Sequence, residues 1–311
     1  MNNKLMLDIY NKKYLLPLYS GSLAIEGVLK SLKLNSNDKV LITNVVCHSI
    51  LQSILNANLM PIIAIPSNGL TLSKKEIKDI VKKENVKVFI AVHQYGYEQK
   101  IAKIKDLIVI EDISQAWNIV LSDGYVGKYS DYIVTSLGKS KELCNSIGGL
   151  IISDIDFINN FDIKKKECRN SNFKLLEYYY PININYKKLI YVGNRNVIRN
   201  RKNAKYFKNI FSKYFFIKLV DENNSIPSYH RFLIYINNKY YEDIIYILDK
   251  CNIKYQKEYK DKLDNINLVK NNKIKVIGSN NINDKCLLLR TNNNYFNIKK
   301  LERELVKYYG S

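Results

Sequence analysis

An alternation of short apolar runs with helical segments occupies the first half of the chain, and it constrains the fold more than any other feature. Six runs are apolar almost throughout and have the length of a strand: DKVLIT, PIIAIP, VKVFIAVH, LIVIED, DYIVTS and GGLIISD. Strands of this kind are typical of a mostly parallel sheet that helices cover on both faces. The pattern therefore predicts an α/β fold, in which ligands bind beyond the carboxyl ends of the strands.

Segments whose apolar residues have helical spacing alternate with these strands, namely SGSLAIEGVLKSLKL, CHSILQSILNAN and SKKEIKDIVKKE. Ser73 is a predicted N-cap, and a short helical segment is expected after VKVFIAVH. Beyond about residue 155 we predict a long helix over NVIRNRKNAKYFKNIFSKYF, a strand over YHRFLIYI, a helix over YYEDIIYILDKCNI and a loop-rich stretch over DNINLVKNNKIKVIGSNNINDK. This change of pattern predicts a large α/β domain over residues 1–195 and a smaller α+β domain over residues 196–311.

The chain is strongly basic, with 49 lysine and arginine residues against 29 aspartate and glutamate residues and a formal net charge of +20. Lysine, asparagine, isoleucine and tyrosine are abundant together, as an AT-rich coding bias would produce whatever the function, so the charge favours a solvated basic surface. A positive field would also attract anionic substrates such as nucleotide-linked sugars. The basic residues are dispersed and no nucleic-acid-binding signature occurs, so we expect no nucleic-acid partner.

Cysteine usage and hydropathy indicate the compartment. The five cysteines are odd in number and scattered without a C-x-x-C motif, which argues against a disulfide scaffold and against a bound metal. The apolar runs are shorter than a membrane span requires, and the first residues do not have the pattern of a signal peptide. We therefore expect a cytoplasmic protein with reduced thiols and no membrane association.

Polar residues stand at or just beyond the carboxyl ends of three predicted strands, namely His93, Glu111, Asp112, Ser114, Gln115, Ser136, Lys139 and Lys141. Near the start of the chain, SGS opens a predicted helix whose backbone N–H groups could bind a phosphate. A helix N-terminus, a strand-end carboxylate and a lysine in a turn together suit pyridoxal 5′-phosphate. The lysine would form the Schiff base with the aldehyde, and the carboxylate would keep the pyridine nitrogen protonated.

These segments, in this order, resemble the DegT/DnrJ/EryC1/StrS family of pyridoxal-phosphate-dependent sugar aminotransferases, which have the aspartate-aminotransferase type I fold. The matching segments are SGSLAIEGVLKSLKL, DKVLIT, VHQYG, EDISQAW, GKYSDYIVTS and KELCNSIGG, with NRKNAKYF and YHRFLIYI further along. The resemblance implies a mostly parallel sheet flanked by helices, with a smaller α+β domain at the C-terminal end.

The resemblance also implies catalytic roles for two residues. Lys141 would be the Schiff-base lysine, because it stands five residues after Ser136 and seven before Gly148. Lys139 is the alternative if the alignment shifts by two positions. Asp112 would pair with the pyridinium nitrogen of the cofactor.

Other residues would bind the cofactor around these two, namely Gly21, Ser22, the backbone of Leu23 and Ser136 at the phosphate, and Gln115 on the side of the ring hydroxyl. Asn185 would reach the phosphate from the other subunit. Cys47 and His48 stand where the family has an aromatic that stacks on the ring, and either could contact the ring face. For Cys47, the alternative is a small buried residue without contact to the cofactor.

The function that the resemblance implies is amino transfer by a homodimer with shared active sites. An amino donor, expected to be glutamate, would supply the amino group for a keto group on a nucleotide-linked sugar. The alternatives are another fold type I enzyme acting on a small amino acid or phosphorylated amine, and a cofactor-free protein with a binding role. Dehydratases related to the family have histidine in place of the lysine, so Lys141 argues against that branch.

Overall fold

The computed structural model describes residues 3–156, 184–222, 224–257, 262–271, 274–280 and 282–310. Its strands, in chain order, are β1 (Tyr14–Leu18), β2 (Lys39–Thr43), β3 (Met60–Ala64), β4 (Val86–Val92), β5 (Ile108–Asp112), β6 (Val120–Leu121), β7 (Gly124–Tyr125), β8 (Tyr132–Ser136), β9 (Gly149–Ser153), β10 (Ile217–Leu219), β11 (Arg231–Ile236), β12 (Tyr255–Lys257), β13 (Lys275–Ile277) and β14 (Lys285–Arg290). Its α-helices are α1 (Lys4–Tyr10), α2 (Gly21–Ser31), α3 (His48–Asn56), α4 (Lys74–Glu84), α5 (Tyr186–Phe211), α6 (Tyr241–Lys250), α7 (Asn267–Asn271) and α8 (Tyr295–Tyr309).

The larger sheet has eight strands in the order β1-β9-β8-β5-β4-β2-β3-β13. Every pairing from β8 to β13 is parallel, whereas β9 and β1 add two antiparallel strands at the other side. The α/β fold with a mostly parallel sheet, predicted from the unbroken apolar runs, is confirmed.

Helices cover both faces of this sheet, because alternate residues of each strand are apolar on opposite sides. Val88 and Ile90 of β4 pack in the same core as α2 and α3, whereas Phe89 and Ala91 pack in the core beneath α4. A third core joins α1 and the start of α5 to β8 and β9. Each fully buried aliphatic or aromatic side chain of this kind contributes about 1.5–3 kcal/mol to folding.

The connection from β4 to β5 differs from the two before it. A crossover between parallel strands usually contains an α-helix, and α3 and α4 fill this role between β2 and β3 and between β3 and β4. Residues 93–107 contain only the 3₁₀ turn Gln94–Gly96. The short helical segment predicted here is therefore a single turn, and no α-helix of this connection covers the sheet.

The smaller sheet is antiparallel, in the order β10-β11-β14-β12, and packs against α5, α6 and α8. The predicted boundary between residues 195 and 196 lies within α5, and β13, from the stretch predicted to be loop-rich, pairs with β3 of the larger sheet. The division into domains over residues 1–195 and 196–311 stays a prediction. Among the described residues, no helix is long and apolar enough to cross a bilayer.

Candidate active site

A cleft of about 190 Å³ lies at the carboxyl ends of β4, β5 and β8. It brings together seven of the residues that the sequence predicted, namely Gly21, Ser22, Cys47, Asp112, Gln115, Ser136 and Lys141. It is also lined by residues that the sequence analysis did not assign to the site, among them Ser20, Ser49, Gln94 and Ser114. The carboxyl edge of the parallel sheet is therefore where these side chains converge.

Close backbone approaches at the start of α2 explain why glycine is needed there. A Cβ atom on Gly21 would lie 2.9 Å from the Cβ of Ser136, and one on Gly149 would lie 2.3 Å from the carbonyl oxygen of Ser20. Ser20 is the N-cap of α2, and its Oγ accepts a hydrogen bond from the Leu23 N–H at 3.2 Å. The N-terminal end of the helix thus lies directly against the end of β8, while the Leu23 N–H is used within the helix cap.

A chain of hydrogen bonds joins the ends of β5 and β8. The Ser114 N–H donates to Asp112 Oδ1 at 2.8 Å, and the Ser136 N–H donates to Ser114 Oγ at 2.8 Å. Burial raises the pKa of the Asp112 carboxyl above its usual range, although the Ser114 hydrogen bond and the Lys141 charge act in the opposite direction. A further cation beside Asp112 would therefore favour its ionised form.

Two glutamine side chains lie on the β4 side of the cleft. Gln115 Oε1 accepts a hydrogen bond from the Tyr95 N–H at 3.1 Å, and the Gln115 carbonyl accepts one from Ser228 Oγ at 3.1 Å. Gln94 is buried, and its Nε2 has no hydrogen-bond partner among the described residues. A buried donor of this kind costs about 1–3 kcal/mol when unsatisfied, so it favours a ligand with an acceptor atom in the cleft.

Lys141, and not Lys139, lines the cleft. Lys141 is half-buried, whereas Lys139 is exposed and lies outside the lining residues. The next residue, Glu142, anchors this segment. It is buried, and its Oε1 lies 2.8 Å from Nδ1 of His230, the residue that precedes β11. Asn196 Nδ2 of α5 also donates to the Glu142 carbonyl at 3.1 Å.

Three other predicted residues are more peripheral. Cys47 is exposed, lines the cleft and precedes α3, while His48 is exposed and does not line the cleft. Asn185 is exposed and caps α5, with its Oδ1 accepting from the Lys188 N–H at 3.0 Å. The structure places neither His48 nor Asn185 in the cleft of its own chain.

Ser20, Ser49, Gln94 and Ser114 line the cleft although the sequence analysis gave them no role, and Gln94 and Ser114 are the two that lie beyond a strand end. Both lie in segments that carried the resemblance, VHQYG and EDISQAW. Gln94 follows directly after the strand-end residue His93, and Ser114 stands two residues after Asp112. This position singled out Ser114 in the sequence without indicating its role, and the same signal could have identified Gln94.

The fold and cleft define the class of this protein, an α/β protein with a lysine, a buried carboxylate and a helix N-terminus at the carboxyl edge of its sheet. Residues 4–178 match the model of the DegT/DnrJ/EryC1/StrS aminotransferase family, and the chain belongs to this family. The resemblance stated from the sequence is thereby confirmed.

Known proteins similar to the chain include GDP-perosamine synthase of Vibrio cholerae, which is 24% identical over 153 residues. That match covers 47% of this chain and 41% of the synthase, so less than half of this curated relative is spanned. GDP-4-keto-6-deoxy-D-mannose-3-dehydratase of E. coli, solved with bound hydrated PLP, has a TM-score of 0.78 at 17% identity over 96% of this chain and 89% of its own. A DegT DnrJ EryC1 StrS aminotransferase from Brucella abortus has a TM-score of 0.77 at 12% identity over 99% and 89%. At these identities the two structures show a shared fold.

Proposed function

We propose that the chain is a pyridoxal-phosphate-dependent aminotransferase that transfers an amino group, expected to come from glutamate, to a keto group of a nucleotide-linked sugar. The observation that carries this proposal is the convergence of Lys141, Asp112 and Ser136 with the start of α2 in one cleft. The family match and the name of the Vibrio cholerae relative support the substrate class.

The residues of the cleft fit this cofactor. Gly21 leaves the N-terminal end of α2 open beside Ser136, where a Cβ would otherwise clash, and such a helix end favours a phosphate. Gln94 offers a buried Nε2 donor without a partner among the described residues. The buried Asp112 carboxyl, whose pKa is raised by burial, would be stabilised in its charged form by a protonated ring nitrogen.

When bound, pyridoxal 5′-phosphate supplies an electron-withdrawing ring that stabilises negative charge on a substrate carbon. Asp112 would keep the ring nitrogen protonated, and Ser22 and Ser136 would bind the phosphate. The Lys141 amine would act as the base that moves a proton between the substrate carbon and the C4′ carbon of the cofactor. The hydrogen bond from the Tyr95 N–H orients Gln115 for contact with the ring hydroxyl side.

Sugar dehydration is the second candidate function, because the E. coli neighbour is named a 3-dehydratase. Related dehydratases have histidine in place of the Schiff-base lysine, and this chain has Lys141 at the cleft. Incubation with glutamate and GDP-4-keto-6-deoxymannose separates the two reactions. Amino transfer gives a sugar that contains nitrogen and keeps its 3-hydroxyl, whereas dehydration gives a sugar that has lost it.

The experiment that tests the cofactor assignment compares Lys141→Ala with Lys139→Ala. We expect the purified protein to absorb visible light, to change its spectrum with glutamate, and to attach the cofactor permanently at residue 141 after borohydride reduction. Lys141→Ala should abolish the attachment, and Lys139→Ala, which changes an exposed neighbour, should leave it intact. Labelling at residue 139 would transfer the role to Lys139, and no labelled lysine would refute the proposed function.

We further propose a cytoplasmic homodimer whose two subunits share the active sites, with Asn185 contacting the cofactor phosphate of the other subunit. Asn185 caps α5, so Asn185→Ala would remove the cap as well as this contact. Asn185→Ser retains an N-cap and shortens the side chain, and it separates the two roles. Lower cofactor affinity in both variants supports the contact between subunits, whereas normal affinity in Asn185→Ser contradicts it. Light scattering that reports an active monomer would refute the shared site.

A further inference from the structure

A second and larger cavity, of about 560 Å³, lies on the other face of the sheet from the cleft. It opens where residues 93–107 run from β4 to β5 without an α-helix. Its walls come from α4, from this connection and from the β6–β7 hairpin, through Lys74, Lys78, His93, Lys103, Glu111 and Asp123. We call it the polar cavity.

The polar cavity and the cleft share the same two strand ends. Asp112 and Gln94 line the cleft, while the residues immediately before them, Glu111 and His93, line the polar cavity. Consecutive residues of a strand point to opposite faces, so this arrangement follows from the pleat of β5 and the continuation of β4. The proposed aminotransferase reaction uses only the first of these pairs.

His93 lines the polar cavity and has a ring nitrogen that forms no hydrogen bond among the described residues. The Gln99 N–H donates to His93 Nδ1 at 3.0 Å, so the proton of the neutral ring is on Nε2. His93 is 1% exposed, and its Nε2 has no hydrogen-bond partner among the described residues. The nearest carboxylate oxygen, Glu111 Oε1, is 3.9 Å away and is beyond hydrogen-bond distance.

Three lysines give the polar cavity a positive charge that the rest of its wall does not neutralise. Lys74, Lys78 and Lys103 form no ion pair with a carboxylate in the described ranges, and only the last contacts a tyrosine ring. The other two carboxylates of the wall already have partners, because Glu98 binds Lys100 at 2.7 Å and Asp123 binds Lys128 at 3.1 Å. Burial raises the pKa of Glu111 to about 8, so this carboxyl is mostly uncharged at neutral pH.

We propose that the polar cavity binds a small metabolite through a phosphate group, with Lys74, Lys78 and Lys103 around the phosphate and the His93 Nε2–H donating to an acceptor atom of the ligand. The connection without an α-helix provides the space, and the three ammonium groups, which have no carboxylate partner in the described part of the chain, provide the charge. The site does not depend on the cofactor or on the reaction in the cleft.

The test uses the full chain loaded with cofactor. Inorganic phosphate is titrated into it and binding is measured by calorimetry, with potassium chloride at equal ionic strength as the control titrant. We expect the double variant Lys74→Ala/Lys78→Ala to weaken phosphate binding at least about five-fold, because two charge-assisted contacts are lost. The matched control is Lys75→Ala/Lys82→Ala, which removes two exposed lysines of α4 that do not line the cavity and should stay within about two-fold of wild type. Ser22→Ala controls for phosphate in the cleft and should leave this binding unchanged.

A measurement without substitution tests the histidine. The chain has three histidines, so its imidazole N–H resonances are few, and phosphate should shift the Nε2 proton resonance of His93. The proposal is overturned if phosphate binds no better than chloride, if the two double variants lose equal affinity, or if the His93 resonance does not respond. Loss of binding in Ser22→Ala would place the anion in the cleft and would also overturn it.

Discussion

The cleft and the polar cavity lie back to back on β4 and β5, and their organisation differs. In the cleft, hydrogen bonds connect Asp112, Ser114 and Ser136 and hold the strand ends together. In the polar cavity, Glu111 and His93 are buried but remain 3.9 Å apart, and Lys74, Lys78 and Lys103 have no carboxylate partner among the described residues. Burial alone therefore does not connect the residues of a site.

The difference has a cause in the chain's connectivity. On the cleft side, α2 begins directly against the end of β8, and glycine at position 21 removes the atom that would keep them apart. On the other side, the crossover from β4 to β5 has no α-helix, and the buried strand-end residues His93 and Glu111 line a cavity. Close contacts therefore characterise the cleft, whereas the charge of its lysines characterises the polar cavity.

Replacing the carboxyl on one face or the other should give the largest difference. Asp112→Asn removes the charge that keeps the ring nitrogen protonated, and we expect kcat/KM for amino transfer to fall about 1000-fold. Glu111→Gln is the matched control one residue away, and kcat/KM should stay within about three-fold of wild type. Steady-state kinetics with glutamate and the keto sugar measure both. Equal losses would show that the two faces are not separate in function.

The free energy of unfolding should depend on pH through the buried Glu111 carboxyl on the side of the polar cavity. Burial raises the pKa of Glu111 from its usual 4.5 to about 8, so the folded state keeps a proton that the unfolded chain releases. This contribution is fully present below about pH 4.5 and is lost as the pH rises towards 8. Relative to Glu111→Gln, the free energy of unfolding of wild type should fall by about 1 kcal/mol per pH unit between pH 5 and 8. Urea unfolding at each pH measures it, and parallel curves for the two proteins would contradict it.

Adding a methyl group at Gly21, on the cleft side, should have a smaller effect than either of these changes. Gly21→Ala places a Cβ 2.9 Å from the Cβ of Ser136, and we expect a loss of about 1–3 kcal/mol in stability with weaker cofactor binding. The control is Gly138→Ala, whose Cβ would make an ordinary contact of 3.5 Å with Ser136 Oγ. Thermal unfolding and cofactor titration separate the two variants. If Gly138→Ala is as damaging, the close approach of α2 is not the cause.

The smallest expected effect lies on the side of the polar cavity. Ser73 caps α4, with its Oγ accepting from the Glu76 N–H at 3.2 Å and its own N–H donating to Glu76 Oε2 at 2.7 Å. Ser73→Ala should cost about 1 kcal/mol of stability and leave cofactor affinity unchanged, because α4 carries lysines of the polar cavity and none of the cleft. Ser73→Asp keeps a cap and should unfold like wild type. A change in cofactor affinity in Ser73→Ala would show that the faces are coupled.

Much of the larger sheet could be predicted, because strands buried on both faces are apolar almost throughout. The strands β2, β3, β4, β5, β8 and β9 correspond to the six apolar runs, and the Ser73 cap was predicted correctly. The outer strands could not be found in this way. β1 contains Pro17, and β13 is a three-residue strand in a stretch rich in lysine and asparagine, so their positions depend on tertiary pairing.

Residues of the cleft were predictable where they follow a strand end, as Asp112, Ser136 and Lys141 do. Ser114 and Gln94 also lie just beyond strand ends, but a polar residue in a turn has no distinctive pattern of its own that would indicate its role. The polar cavity was also not predictable. It depends on a helix that does not form in residues 93–107, although Ile101 and Ile104 in that segment have helical spacing.

The pairing of β13 with β3 affects how this chain can be synthesised. Until residues 275–277 emerge from the ribosome, β3 has an edge of unpaired backbone N–H and C=O groups at the side of the sheet. At about 5–20 residues per second, this exposure lasts roughly 10–40 s. Such an edge is a template for pairing with other chains. Nascent chains, and proteins shortened to end before residue 275, should therefore aggregate through β3 and depend on chaperones more than the complete sheet does.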